Sequence, residues 1–175
     1  MEFRELKLKG LLEITPRKFK DDRGYFFESF NENTFKNAGL NVQFVQDNQS
    51  YSIPSVIRGL HFQKPPFEQG KLVRVLKGKI LDVAVDIRPE SPTYGMWESI
   101  ILDDEKSNML YVPEGFAHGF SVLEESMVFY KCTNVYNKAS ESGINWADPH
   151  LNINWQINNP LVSDKDIELK FLKDL

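Results

Sequence analysis

Between Leu81 and Ile87 the chain alternates without a break: Leu81, Val83, Val85 and Ile87 fall on one side of an extended backbone, Asp82, Ala84 and Asp86 on the other. A period of two over seven residues is a strand signature, and this strand has one apolar face and one face carrying two carboxylates. Asp82 and Asp86 are then interior hydrogen-bond acceptors or partners of other polar groups. Leu72 to Ile87 as a whole reads as a hairpin turning at Lys77-Gly78. The same grammar recurs elsewhere. Leu11 to Phe19 and Gly24 to Phe30 read as strands joined by Lys20-Asp21-Asp22-Arg23, and Val42 to Tyr51, Trp97 to Leu102, Met109 to Val112 and Ser126 to Tyr136 as further strands. Pro113 to Phe120 adds a turn and a strand. Asn31 caps a short helix through Asn37, with Gly39 just past its end, and Ser163-Asp164-Lys165-Asp166 opens a terminal helix. Many short strands at near-regular spacing predict a mainly all-β fold, a sandwich or barrel with a few short helices at its periphery.

A length of 175 residues fits one domain, 1–175, and the aromatic content of 13% suits strands or ring-stacking sites. A net charge of −4 argues against a nucleic-acid partner held by a broad basic surface. Cys132 is the single cysteine, so no intrachain disulfide forms, which suits a reducing compartment. No apolar run reaches membrane-spanning length and the start lacks a signal-peptide core, so the expectation is a cytoplasmic protein with no membrane partner.

Polar chemistry concentrates in two places. Arg58-Gly59-Leu60-His61-Phe62-Gln63, followed by Gln69-Gly70-Lys71, sets an arginine, a histidine and a lysine close together in strand-like sequence. Strict alternation puts Arg58, Leu60 and Phe62 on one face and Gly59, His61 and Gln63 on the other. Gln46-Asp47-Asn48-Gln49 places four polar side chains in a strand, an arrangement that calls for a ligand. A metal is the first hypothesis, because Pro113-x-Gly115-x-x-His118 resembles the second motif of the cupin superfamily of small β-barrels. The ligands of such an oxygenase would be His61, Glu68 and His118. Gln63, however, stands where a metal cupin has an imidazole, and glutamine is a poor transition-metal ligand. The expectation is a cupin-type barrel without a metal.

A closer resemblance is carried by Arg23-Gly24-Tyr25-Phe26-Phe27-Glu28, Gln46-Asp47-Asn48, Arg58-Gly59-Leu60-His61-Phe62-Gln63, Gln69-Gly70-Lys71-Leu72-Val73-Arg74, Asp82-Val83-Ala84-Val85-Asp86 and Pro113-Glu114-Gly115-Phe116-Ala117-His118-Gly119-Phe120. Together and in this order they resemble the dTDP-4-dehydrorhamnose 3,5-epimerase family. The resemblance implies a homodimeric cupin-type jelly roll with no cofactor, acting on a dTDP-linked 4-keto-6-deoxyhexose. It implies His61 as proton acceptor, Tyr130 as proton donor and Asp166 as the partner of His61. It further implies ligand contacts at Arg23, Glu28, Gln46, Asp47, Asn48, Arg58, Lys71, His118, Glu141 and Lys165. Exchange of the N-terminal strand between subunits would bring Arg23 and Glu28 into the neighbour's site.

The chemistry is coherent without the name. A ketone at carbon 4 acidifies the hydrogens on carbons 3 and 5, and the enolate so formed needs a cation beside its oxygen. Lys71 suits that task, worth roughly 3 to 4 kcal/mol for one well-placed donor. Imidazole titrates near neutral pH and suits the base, and inversion requires a second group, the Tyr130 phenol, to return the proton from the other face. The alternatives are a 3-epimerase or keto-isomerase on a related nucleotide sugar, a metal-dependent cupin oxygenase, and a non-catalytic nucleotide-sugar binding module. A base of the nucleotide could stack on Phe26 or Trp146.

Overall fold

The computed structural model describes residues 1–175. Its strands are β1 (Glu2–Glu5), β2 (Leu12–Thr15), β3 (Phe19–Asp21), β4 (Gly24–Phe26), β5 (Gln46–Ser52), β6 (Ile57–Gln63), β7 (Lys71–Asp86), β8 (Trp97–Asp103), β9 (Met109–Val112), β10 (Phe116–Cys132) and β11 (Glu141–Gly143). Two short helices, α1 (Glu32–Asn37) and α2 (Asp164–Ile167), lie outside them. This is the mainly β architecture expected, a cupin-like jelly roll.

Two long antiparallel strands, β7 and β10, form its spine, paired from Lys71↔Cys132 to Asp86↔Phe116. The first half of β7 and the second half of β10 belong to one sheet, flanked by β9, β2 and β1 on one side and β5 on the other. Their other halves belong to a second sheet, with β8 beyond β7 and β6 and β11 beyond β10. β3 and β4 make a separate hairpin.

The predicted hairpin at Lys77-Gly78 is therefore replaced by a bend inside one continuous strand. Gly78 has φ +87°, and a Cβ there would lie 2.0 Å from the Glu125 carbonyl oxygen. Only glycine lets the two spine strands approach this closely while they turn from one sheet into the other. Side-chain parity changes across the bend: Val73 and Val75 point inward before it, Ile80 and Ala84 after it, all within the same buried cluster. The strand that follows the turn at Pro113 and the strand expected from Ser126 to Tyr136 are likewise one, since Phe116 to Cys132 is continuous, with register shifts near Glu124 and Met127.

The apolar stripe Leu81, Val83 and Val85 faces outward, where the C-terminal segment covers it with Ile144, Leu151, Trp155 and Leu172. A third cluster packs α1 over the other sheet through Phe35, Leu72 and Met109. Both helix starts follow the sequence: Asn31 accepts from the Asn33 and Thr34 amides, and Ser163 from the Asp166 amide. Covering both outer faces leaves the inner faces to pack on each other and, at one end, to line a polar cavity.

Candidate active site

Strand parity aims the polar residues at this cavity. From β5, Gln46, Asn48 and Ser50 face inward while Asp47 points out to an ion pair with Lys131. From β7 comes Lys71, and from β10 His118 and Tyr130, with Phe129 on the opposite side. The cavity has two lobes of about 390 Å³ and 290 Å³, and His61, Lys71 and Tyr130 line both. Gln63 and Glu141 lie in the larger lobe, Arg58, His118, Lys165 and Asp166 in the smaller.

Arg58 and His61 thus share a cavity, against the strict alternation read from sequence. The β6–β10 register explains it: His118 pairs with His61 and Phe120 with Arg58, so Gly59 and Leu60 together oppose the single residue Gly119. The bulge rests on Gly59, with φ +122°, where a Cβ would meet the Cα of Gly119 at 2.5 Å. Leu60 belongs to the outer core, and Phe62 packs against that core while also bordering the larger lobe.

His61 Nε2 lies 2.6 Å from Asp166 Oδ1, and the second carboxylate oxygen accepts from the Gly59 amide at 3.3 Å. Burial alone pushes the Asp166 carboxyl up, but hydrogen bonds from His61, Gly59 and Ser163 outweigh it and hold the group below the usual aspartate range. It is accordingly a carboxylate acceptor, and His61 donates from Nε2. Lys71 is 8% exposed and donates to the His61 carbonyl oxygen at 3.4 Å. Burial pushes its ammonium below the ordinary lysine range, against the opposing pull of Cys132, Asp82 and Glu141. Burial pushes the Tyr130 phenol up, Cys132 adds to that, and Arg58 works the other way. His118 bonds to the fully buried Asp82. Arg58 is braced by Ser52 Oγ at 2.9 Å and the Tyr51 carbonyl at 3.2 Å.

A model of the dTDP-4-dehydrorhamnose 3,5-epimerase family matches residues 5–174. The chain belongs to the dTDP-4-dehydrorhamnose 3,5-epimerase family. Among its relatives in the family, the dTDP-4-dehydrorhamnose 3,5-epimerase of Shigella flexneri is 51% identical over 163 residues, covering 92% of this chain and 90% of the relative. That of Methanothermobacter thermautotrophicus is 49% identical, covering 99% and 96%. The crystal structure of the Legionella pneumophila dTDP-6-deoxy-D-glucose-3,5-epimerase in complex with dTDP-4-keto-L-rhamnose superposes with a TM-score of 0.94 at 42% identity, covering 98% of this chain and 93% of that one.

Not every epimerase-family contact expected from the sequence reaches the cavity of one subunit. Arg23 is exposed and paired with Asp21, Glu28 accepts from Asn31 Nδ2, and neither lines either lobe. Asp47 is turned away by the strand period. Trp146 packs against the outer core, and Phe26, 71% exposed, lies on the β3–β4 hairpin away from the cavity. Gln63 spends its amide on the Phe67 and Val135 carbonyls and the Asn137 amide. Glu68 is not in the cavity lining, and no three His, Cys, Asp or Glu side chains converge as a metal-ligand set. Ser50, Gln69 and Tyr136 also line the cavity without having been singled out. Ser50 was legible, since it follows Gln46 and Asn48 at the same period; Tyr136 lies past Cys132, where β10 ends short of the strand expected to run to Tyr136. Tyr136 donates to Glu141 at 2.9 Å, and Glu141 in turn pairs with Lys165 at the cavity mouth.

Proposed function

We propose that this chain inverts carbons 3 and 5 of dTDP-4-dehydro-6-deoxy-D-glucose to give dTDP-4-dehydro-L-rhamnose. The observation that carries the reading is the meeting of the His61–Asp166 pair, Lys71 and Tyr130 on one cavity. His61 takes the proton from carbon 5 or carbon 3 through the ring nitrogen not committed to Asp166. The C–H electron pair becomes the enolate π bond and the carbonyl electrons move onto the carbon-4 oxygen, which the Lys71 ammonium meets. Asp166 holds the imidazolium in orientation. The Tyr130 hydroxyl returns a proton to the other face of the ring, the enolate collapses to the ketone, and solvent restores both groups. Reactant and product are isomers, so the reaction calls for no redox cofactor.

Arg58, His118 and Lys165 supply donors for the nucleotide diphosphate and sugar, with Gln46, Asn48 and Glu141 as polar contacts. Arg23, Glu28 and Asp47 enter this reading only through a second copy or a rearranged loop. The exposed aromatics Phe19, Tyr25 and Phe26 on the β3–β4 hairpin support a homodimer in which that hairpin reaches the neighbouring subunit. The whole chain acts as one domain. No helix is long and apolar enough to cross a membrane, and the free, buried Cys132 fits our placing of the enzyme in the cytoplasm. Incubation with dTDP-4-dehydro-6-deoxy-D-glucose, followed by NMR of the product, tests the reading. Inversion at both carbons is expected; inversion at carbon 3 alone would assign the chain to the monoepimerase reaction instead.

A further inference from the structure

Two glutamines of the cavity wall take up the amides of two consecutive residues. Tyr136 donates its backbone N–H to Gln46 Oε1 from β5, and Asn137 donates its own to Gln63 Oε1 from β6, each at 2.7 Å. Gln63 is 6% exposed, and its Nε2 donates to the carbonyl oxygens of Phe67 and, at 3.1 Å, Val135. One buried side chain therefore ties the connection after β6 to the segment after β10, accepting from one backbone amide and donating to two carbonyls. The segment has little else to hold it. Residues 135–137 belong to no helix or strand, and Val135 and Tyr136 are half exposed, so hydrogen bonds rather than apolar burial set their path. Its approach is stitched in the same way: Gln69 Nε2 donates to the Asn134 carbonyl at 2.7 Å, and the Gly70 amide to Thr133 Oγ1 at 2.8 Å. At the end of these ties the Tyr136 side chain lines the larger lobe, where its hydroxyl donates to Glu141.

We propose that Gln63 is a positioning residue of the epimerisation: it clasps residues 135–137 so that Tyr136 walls the larger lobe and holds Glu141 toward the bound sugar nucleotide. This rests on the functional reading above. Gln63 itself borders the lobe, but both of its N–H groups are spent on backbone carbonyls, so it acts through the segment it ties down. Gln46 does not duplicate it, since Gln46 reaches one amide of the segment and turns its Nε2 to Asn48 Oδ1 at 3.1 Å.

The test is a double-substitution cycle read as KM and kcat for the 4-keto sugar. Gln63→Met keeps an unbranched side chain of similar length while removing the amide, and Tyr136→Phe removes the hydroxyl that meets Glu141. Each alone should raise KM about tenfold, the scale of one hydrogen bond, with kcat changed by less than about threefold. Together they should again raise KM about tenfold, because the second change removes what the first has already released; independent effects would multiply to about a hundredfold. A multiplied effect, a KM in Gln63→Met equal to that of the unsubstituted protein, or a loss confined to kcat would overturn the role of Gln63 and leave the functional reading standing. An unsubstituted protein that leaves the sugar unchanged would overturn the functional reading, and this with it. Should Gln63→Met fail to fold, amide hydrogen exchange in the unsubstituted protein decides. The Tyr136 and Asn137 amides should exchange at least about 10²-fold more slowly than those of an open loop, and exchange at the open-loop rate contradicts the clasp.

Discussion

Asp166 reaches His61 across 105 residues of sequence, with Oδ1 at 2.6 Å from Nε2. The carboxylate is delivered by α2, whose start is fixed by Ser163, and its side chain is 5% exposed. Asp166→Asn should leave the fold intact, since the amide can occupy the same site, but it loses the charge that steadies the imidazolium. Solvent exchange into the 4-keto sugar should slow by about 10²–10⁴-fold with little change in KM. Steady-state kinetics beside a circular dichroism spectrum reads both quantities.

Tyr130 stands on the far half of β10, opposite Asn48 and Val73, whereas His61 comes from β6. Two groups on different strands suit removal and return of a proton at different faces. Tyr130→Phe should keep most of the first exchange while product inversion falls by at least ~10²-fold. Equal losses in both, measured by NMR on one sample, would contradict a donor role confined to the return step.

Asp86 is wholly buried and receives Arg88 Nε at 2.9 Å, Arg88 Nη2 and Ser91 Oγ at 2.6 Å each, and Thr93 Oγ1 at 2.6 Å. Burial pushes its carboxyl up, but these hydrogen bonds prevail and hold it far below the usual aspartate range. A depressed folded-state pKa gives stability that is present above the unfolded value and is lost as pH falls from there toward the folded value. Asp86→Asn should cost roughly 2 kcal/mol at pH 7, a difference that vanishes in strong acid. Urea unfolding across the acid range measures it.

Gly78 marks where local sequence misleads. Lys77-Gly78 between apolar runs has the composition of a hairpin turn, and a long bent strand needs glycine at its bend for the same steric reason, so the two are indistinguishable without the partner strand. Gly78→Ala should destabilise the protein by more than ~2 kcal/mol, because the new methyl collides with backbone at Glu125 and φ is positive. Thermal unfolding gives the answer; an unchanged midpoint would mean the spine can part there without cost.

Much of the site was legible for a related reason. Period-two alternation separates Val128 and Tyr130 from Phe129, and it brings Gln46 and Asn48 to one side, where it also excludes Asp47. Caps at Asn31 and Ser163 are local and read directly. What stayed hidden depends on non-local geometry. Arg58 joins His61 because Gly59 and Leu60 bulge against Gly119, a fact of pairing register. β11 is three residues with no apolar pattern of its own, formed because β6 offers it an edge. Arg23, in the turn of the β3–β4 hairpin, and Glu28, just past that hairpin, carry family-like sequence but do not line this subunit's cavity, which no local pattern reveals.

The central claim is that His61 removes the proton from a carbon beside the ketone. Its most direct test is ¹H NMR of dTDP-4-dehydro-6-deoxy-D-glucose in deuterated water with the unsubstituted protein and with His61→Asn. The account predicts deuterium at carbons 3 and 5 with the former and none above the uncatalysed rate with the latter. Exchange at an undiminished rate in His61→Asn would contradict it.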